Sequence, residues 1–325
     1  MLKPPKFWKK TGIINFFLLP LSLVYYICFI IYGKIFKEIR TNTPVICVGN
    51  LVLGGVGKTP LTIKLRELLS KDFKKIFVLT RGYKGKEKGP IIVSKNMNYK
   101  DVGDESLIHC VFGSTCVSKS KVEGAKLCEK KGANLIILDD GFQSKHICKD
   151  LSILVIDPEL GLNNRFMFPA GPLRQPFFQA IRKCDAILIL DKKIYRKNFN
   201  LIKHKNIFFG KKIMKIDKIK NDRVLAFCGI GNNERFFNGL KNLNLKPEKC
   251  ISFPDHHNYS IIEIKHIIKQ AEERNLSIVC TRKDYVKIPL ELKKNIHIVD
   301  TELVIEKEKK FYKFLVSELK KTSLY

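Results

Sequence analysis

Pro44-Val45-Ile46-Cys47-Val48 runs directly into Gly49-Asn50-Leu51-Val52-Leu53-Gly54-Gly55-Val56-Gly57-Lys58-Thr59-Pro60, and the fold is read outward from this stretch. The β-branched run predicts a buried strand, the glycines a loop, and Pro60–Leu69 an amphipathic helix. That context turns a glycine-rich string into a phosphate-binding candidate. Glycines let backbone N–H groups converge on phosphate oxygens, and the helix N-terminus adds a favourable dipole. Lys58 reaches the β/γ-phosphates and the Thr59 hydroxyl ligates Mg²⁺. Asn50, Gly54, Gly55, Val56, Gly57, Lys58, Thr59 and Pro60 form the candidate ATP site. The strict G-x-x-x-x-G-K-[ST] spacing fails, because its first glycine falls at Val52. A ligand-free turn is the structural alternative.

Short apolar runs at Val45–Gly49, Ile76–Thr80, Leu135–Leu138, Ile153–Ile156 and Ala186–Leu190 alternate with helical patterns at Pro60–Leu69, Asp104–Val111 and Val122–Lys131. Such alternation implies βαβ units and a mostly parallel sheet. A basic, Asn-rich segment, Lys192–Lys205, interrupts it. A second set follows: Val224–Cys228, Asn233–Leu243, Ser260–Arg274, Ile278–Cys280 and Ile296–Val299. The expected fold is α/β: a P-loop-type, mostly parallel sheet with a second, smaller α/β lobe and an N-terminal membrane-associated helix. The expected division is an anchor over 1–42, a kinase core over 43–205 and a second lobe over 206–325, with the site between the lobes.

The anchor is read from Ile13–Tyr32, 20 residues without a formal charge, flanked by Lys3, Lys6, Lys9 and Lys10 before and Lys34, Lys37 and Arg40 after. Its length just crosses a bilayer core. No small-x-small cleavage site follows, which argues against a signal peptide. Pro20 and Asn15 interrupt a clean span, while Trp8, Tyr25, Tyr26 and Tyr32 suit an interface. Spanning, lying in the interface and packing as a core helix stay open.

Across 325 residues, 60 Lys+Arg against 31 Asp+Glu give a net charge of +29. That balance calls for an anionic partner, although a Lys-rich composition alone produces the same excess. No helix-turn-helix, zinc finger or aromatic RNA-binding motif accompanies it, so nucleic acid is not expected as a partner. The 10 cysteines are scattered without a C-x-x-C pair, which excludes a zinc knuckle or redox dithiol and fits a reducing cytosol.

A partner for the phosphate loop lies at Leu135-Ile136-Ile137-Leu138-Asp139-Asp140-Gly141, four apolar residues ending in two carboxylates. Buried strands of an α/β sheet present their C-terminal ends to ligand, so Asp139 and Asp140 are the candidate Mg²⁺ ligands with Thr59. Adjacent strand residues point oppositely, and both carboxylates contribute only if the chain turns at once.

Further signatures follow in order: Arg81-Gly82-Tyr83, Val102-Gly103-Asp104-Glu105, Asp139-Asp140-Gly141-Phe142-Gln143 and Pro169-Ala170-Gly171-Pro172-Leu173-Arg174. After them come Asp185-Ala186, Gly229-Ile230-Gly231-Asn232, Glu234-Arg235-Phe236 and Phe253-Pro254-Asp255-His256-His257. With the phosphate loop, this series resembles the tetraacyldisaccharide 4'-kinase family over roughly residues 10–290. The resemblance implies a two-lobed P-loop fold using ATP and Mg²⁺ at the cytoplasmic face of the inner membrane. The implied acceptor is an acylated glucosamine disaccharide 1-phosphate, phosphorylated on its 4'-hydroxyl for lipid A. It further implies that Asp104 is catalytic, assisted by His256 or His257. Chemistry agrees: a sugar hydroxyl attacking a γ-phosphate needs a carboxylate or His to take its proton. Asp104 is the better base because Asp139 and Asp140 serve the metal; capping a helix is its structural alternative.

Lys58 and Arg174 are expected to neutralise charge on the transferring phosphate. Arg81, Tyr83, Glu105 and Gln143 are assigned to substrate. Three departures stand out: Ser144 where the family has a basic residue or His, Gln175 where it has Glu, and Thr281-Arg282-Lys283-Asp284 for T-E-K-D. The competing class is a membrane-anchored P-loop NTPase acting as a switch, for which Asp104 has no specific role. An anionic membrane surface is the expected second partner, and no protein partner is indicated.

Overall fold

The computed structural model describes residues 5–35, 37–53, 56–158, 163–198, 202, 204–217, 219 and 221–322. After helix α1 (Ile13–Ile35), strand β1 (Val45–Gly49) leads through the glycine loop into α2 (Lys58–Leu69). The first half continues with β2 (Ile76–Thr80), β3 (Ile91–Ile92), α3 (Tyr99–Val102), α4 (Asp104–Phe112), β4 (Thr115–Val117), α5 (Lys121–Lys130), β5 (Leu135–Asp139) and β6 (Leu151–Ile156). Then come α6 (Phe177–Lys183), β7 (Ala186–Leu190), α7 (Lys192–Asn198) and the long β8 (Ile207–Ile216). The second half holds β9 (Arg223–Cys228), α8 (Asn233–Leu240), β10 (Lys246–Ser252), α9 (Ile261–Glu273), β11 (Ser277–Thr281), α10 (Arg282–Tyr285), β12 (Ile296–Ile305) and α11 (Glu308–Thr322).

Among the described residues, twelve strands form one sheet, in the order β10-β9-β11-β12-β8-β7-β6-β1-β5-β2-β4-β3. β1, β2, β5, β6 and β7 are buried at every position, as strands covered by helices on both faces must be. Their cores are β-branched and leucine-rich because no alternation with polar residues is needed there.

One junction creates the cleft. β8 runs parallel to β7 but antiparallel to β12, and β11, β9 and β10 follow β12 in parallel. The strands of the second block therefore point back toward the first. β7 ends opposite Gly210, whereas Val299, beside the end of β11, sits opposite Ile216. Six residues of β8 separate those levels, about 20 Å of extended chain. The carboxyl ends of both blocks thus face one another across a cleft of about 3060 Å³.

The core of the first half takes in Leu303, Ile305, Phe311, Leu315 and Leu319 from the C-terminal end of the chain. The packing therefore crosses residue 206, because β12 extends along β8 and carries α11 back onto the first block.

α1 inverts the usual arrangement. Its buried residues are Asn15 and Ser22, while Ile13, Phe16, Phe17, Leu21 and Leu23 are exposed. The polar stripe docks on the Met167–Arg174 loop: Asn15 Nδ2 donates to Ala170 O at 2.8 Å, Ser22 Oγ to Met167 O at 3.0 Å and Tyr25 Oη to Arg174 O at 3.0 Å. With a mean hydropathy of 2.2 and 11% of its apolar window buried, this is not a core helix. Its outward apolar face is long and apolar enough to meet lipid, and the described residues do not cover it.

Candidate active site

Gly57 heads α2 at φ 92°, and a Cβ there would lie 2.9 Å from Leu190 Cδ1, so both backbone and space require glycine. Lys58, Thr59 and Pro60 form the first turn, whose N–H groups have no intrahelical partner and face the loop. Proline is tolerated there because it gives up a bond the helix would not make. Asn50 is fully buried; its amide donates to Val52 O at 2.7 Å, and its Oδ1 accepts from Lys58 Nζ at 3.2 Å. Val56 is buried beneath the loop. Gly54 and Gly55 lie outside the described residues.

Asp139 closes β5 and Asp140 follows at φ 59°, which is the immediate turn both carboxylates need. Their surroundings differ. Asp139 is buried and its Oδ2 meets His109 Nε2 at 2.7 Å, while its Oδ1 has no partner among the described residues. Asp140 accepts from Arg174 Nη1 at 3.0 and 3.1 Å and lies 3.5 Å from Lys58 Nζ. Burial pushes the Asp140 carboxyl up, but the Lys58 and Arg174 charges outweigh it and hold the group below its ordinary range. A free buried carboxylate oxygen beside Asp140 and Thr59 is a hard oxygen set that fits Mg²⁺, which needs few protein ligands when phosphates and waters complete its shell.

Asp104 begins α4 after Gly103, whose φ of 84° and close approach to Tyr83 O, 2.6 Å from an added Cβ, again demand glycine. Asp104 Oδ1 accepts from Glu105 N at 2.9 Å in the first turn of the helix, whose N-cap is Gly103. Its Oδ2 faces His256 Nδ1 at 2.8 Å. Burial works against ionisation of Asp104, yet the His256 hydrogen bond and the nearby Lys283 charge hold its carboxyl below the usual value. His257 is not brought to Asp104: it bonds Glu263 at 3.0 Å and stacks on Phe253 at 4.6 Å. Of the two histidines, the structure brings His256 and not His257 to Asp104.

Arg81 and Tyr83 are exposed on the cleft wall, with Tyr83 edge-on to His256 at 5.6 Å. Glu105 also lines the cleft, and burial together with the Asp139 charge raises its carboxyl. Gln143 also lines the cleft, and it ties Asn50 O at 3.0 Å to Arg174 Nη1 at 3.4 Å, joining the phosphate loop to the Asp139–Gln143 turn. Gln175 is buried.

Three groups escaped the reading of the sequence. His109, fully buried, holds Asp139 from the inner face of α4. Lys121 is buried with its ammonium unpartnered among the described residues; burial pulls its pKa down to about 8 against the opposing charges of Asp139 and Asp140. Asp157 follows β6 and meets Lys212 Nζ at 2.6 Å and Arg235 at 3.8 Å. Asp157 had a visible signal, since Ile153-Leu154-Val155-Ile156-Asp157 repeats the apolar run ending in acid that marked Asp139.

A phosphate loop on a central parallel strand, two acids on the neighbouring strand and cations converging on them define a P-loop kinase. The family model described as tetraacyldisaccharide-1-P 4'-kinase matches residues 14–320. This chain is 35% identical to the curated tetraacyldisaccharide 4'-kinase of Paramagnetospirillum magneticum, over 93% of this chain and 94% of that one, and 36% identical to that of Rickettsia canadensis, over 93% of each. The crystal structure of apo-form LpxK from Aquifex aeolicus in complex with ATP superposes with a TM-score of 0.79 at 30% identity, covering 94% of this chain and all of that one. The chain belongs to the tetraacyldisaccharide 4'-kinase family.

Proposed function

We propose that this chain transfers the γ-phosphate of ATP to the 4'-hydroxyl of an acylated glucosamine disaccharide 1-phosphate, at the cytoplasmic face of the inner membrane. The observation that carries this reading is the Asp104–His256 pair, set in the cleft that also contains Lys58, Asp139 and Asp140. A hydrolytic switch has no need of a second, separately ionised carboxylate.

In the transfer, Asp104 takes the proton as the sugar O–H bond breaks. The freed electron pair forms the new O–P bond while the bond from the γ-phosphorus to the ADP oxygen breaks. Lys58 and Arg174, now resting on Asp140, move their charge to the phosphates. Asp139, Asp140 and Thr59 would hold Mg²⁺, which would offset phosphate negative charge when bound. Arg81, Tyr83 and Glu105 border the acceptor. The anchor of 1–42, the core of 43–205 and the lobe of 206–325 then supply lipid contact, nucleotide binding and the His256 side of the pair. The exposed apolar face of α1 supports a lipid surface beside that cleft, and the excess of 29 positive charges favours an anionic one.

The test is an assay of full-length protein in detergent micelles with Mg·ATP and the acylated disaccharide 1-phosphate. A bisphosphate glycolipid is expected. Release of free phosphate with no lipid product would overturn the reading in favour of an NTPase switch.

A further inference from the structure

Beyond Asp104 and His256, a third residue completes the proton-handling chain. Lys283 Nζ lies 3.1 Å from His256 Nε2, on the far side of the ring from Asp104, and 3.4 Å from Asp255 Oδ1. A lysine ammonium has only donors, so the ring nitrogen it meets must be the acceptor. The remaining ring nitrogen, Nδ1, then carries the hydrogen and donates it to Asp104 Oδ2. We propose that Lys283 is a positioning residue that fixes His256 in the Nδ1–H tautomer, so that His256 presents a donor to Asp104 and leaves the substrate proton to the carboxylate.

The scaffold holds both ends of this contact from one backbone point. Asp284, fully buried, accepts from Gly229 N at 3.1 Å, Tyr259 Oη at 2.8 Å, Thr281 Oγ1 at 2.6 Å and Lys287 Nζ at 3.0 Å. Gly229 O in turn accepts from His256 N at 3.1 Å. The single helical turn carrying Lys283 and the loop carrying His256 are therefore pinned to the same residue. Arg282, at the departure from the family pattern, turns away to Asp300 and the Phe112 ring. Lys283 alone of the pair faces the cleft.

Asp255 supplies the competing state. Its Oδ2 is 3.9 Å from His256 Nε2, ready to accept if that nitrogen carried the hydrogen. The Nδ1 lone pair would then face the Asp104 carboxylate, and the base would lose its donor. The ammonium of Lys283 makes the second state unfavourable by occupying Nε2 and pairing with Asp255. The titratable and charged groups around the Asp104–His256 pair are Glu105 from α4, Tyr83 beyond β2, Tyr99 from α3, Asp255, and Lys283 and Lys287.

The inference rests on Asp104 as base, and the tests separate the two. Imidazole ¹⁵N spectra of the full chain in micelles, assigned by difference against His256→Gln, should show Nδ1 protonated and Nε2 bare. In Lys283→Met, kcat falls by about 10²-fold with KM for ATP unchanged, and the acid limb of kcat moves to higher pH because one charge depressing Asp104 is gone. Lys283→Arg restores much of the rate. A wild-type spectrum with Nε2 protonated, or full kcat in Lys283→Met, overturns the inference; the wild-type spectrum decides even if that variant fails to fold. A full-rate Asp104→Asn would instead sink the base assignment and leave the tautomer result standing.

Discussion

Asp139 and Asp140 are neighbours in the chain and leave the end of one strand, whereas Asp104 meets His256 across 152 positions. The first pair is assembled by local geometry: a buried parallel strand, a turn at φ 59°, and cations from the adjacent loop. The second exists only because the sheet reverses direction between β8 and β12 and brings two sets of strand ends face to face. The electrostatics follow the same division. Asp140 is held ionised by Lys58 and Arg174, both free to turn to phosphate. Asp104 is held by His256 and Lys283, which belong to the opposite half and stay with it. In the proposed transfer the first site releases its cations to the nucleotide, and the second keeps its partner.

Asp104→Asn tests this contrast most severely. It should lower kcat by about 10³-fold while ATP binding, measured by calorimetry, holds. Loss of ATP affinity instead would move Asp104 to the metal side and dissolve the distinction. Arg174→Ala comes next, with kcat reduced by about 10²-fold and ATP binding weakened too, because its guanidinium serves the phosphate side. Equal effects on both quantities in the two variants would show a single coupled site.

His109→Leu removes the only hydrogen-bond partner seen for the buried Asp139 carboxylate among the described residues. A loss of about 3 kcal/mol in unfolding free energy is expected, read by denaturant titration in micelles. Unchanged stability would mean that the His109–Asp139 contact adds nothing to folding. The pH dependence has a defined sign. Asp104 has a folded pKa below its unfolded one, so its pairing stabilises the protein above the ordinary aspartate value and is lost as pH falls through the folded value. Asp104→Asn should flatten that acid-side loss. The smallest effect on turnover is expected of Phe17→Asp on the lipid face of α1: weaker vesicle flotation, with the micelle rate unchanged. A matching loss in micelles would show that α1 acts on the cleft rather than on lipid.

The strands of the first half were legible because full burial writes itself as unbroken apolar runs. β8, β10 and α11 were not. β8 carries Gly210-Lys211-Lys212 in its middle, β10 is a half-exposed edge strand reading Lys-Pro-Glu-Lys, and α11 is dominated by lysine. Gln143 was legible as a site residue but not as a tether, since its role depends on the distance from Asn50 to Arg174 after folding. Lys121 had no signal at all; a lysine beside a helix start is normally solvated.

The sequence by itself determined the phosphate loop, the strand-end acids and the apolar segment, because each is a short-range pattern whose chemistry depends on neighbours in the chain. Only the tertiary structure chose His256 over His257, placed Lys283 behind its ring, and turned the polar stripe of α1 inward. Those outcomes rest on contacts between residues distant in the chain, from 27 positions for Lys283 and His256 to 152 for His256 and Asp104, or on which face of an element meets the core. Chain order does not encode either until the sheet has closed.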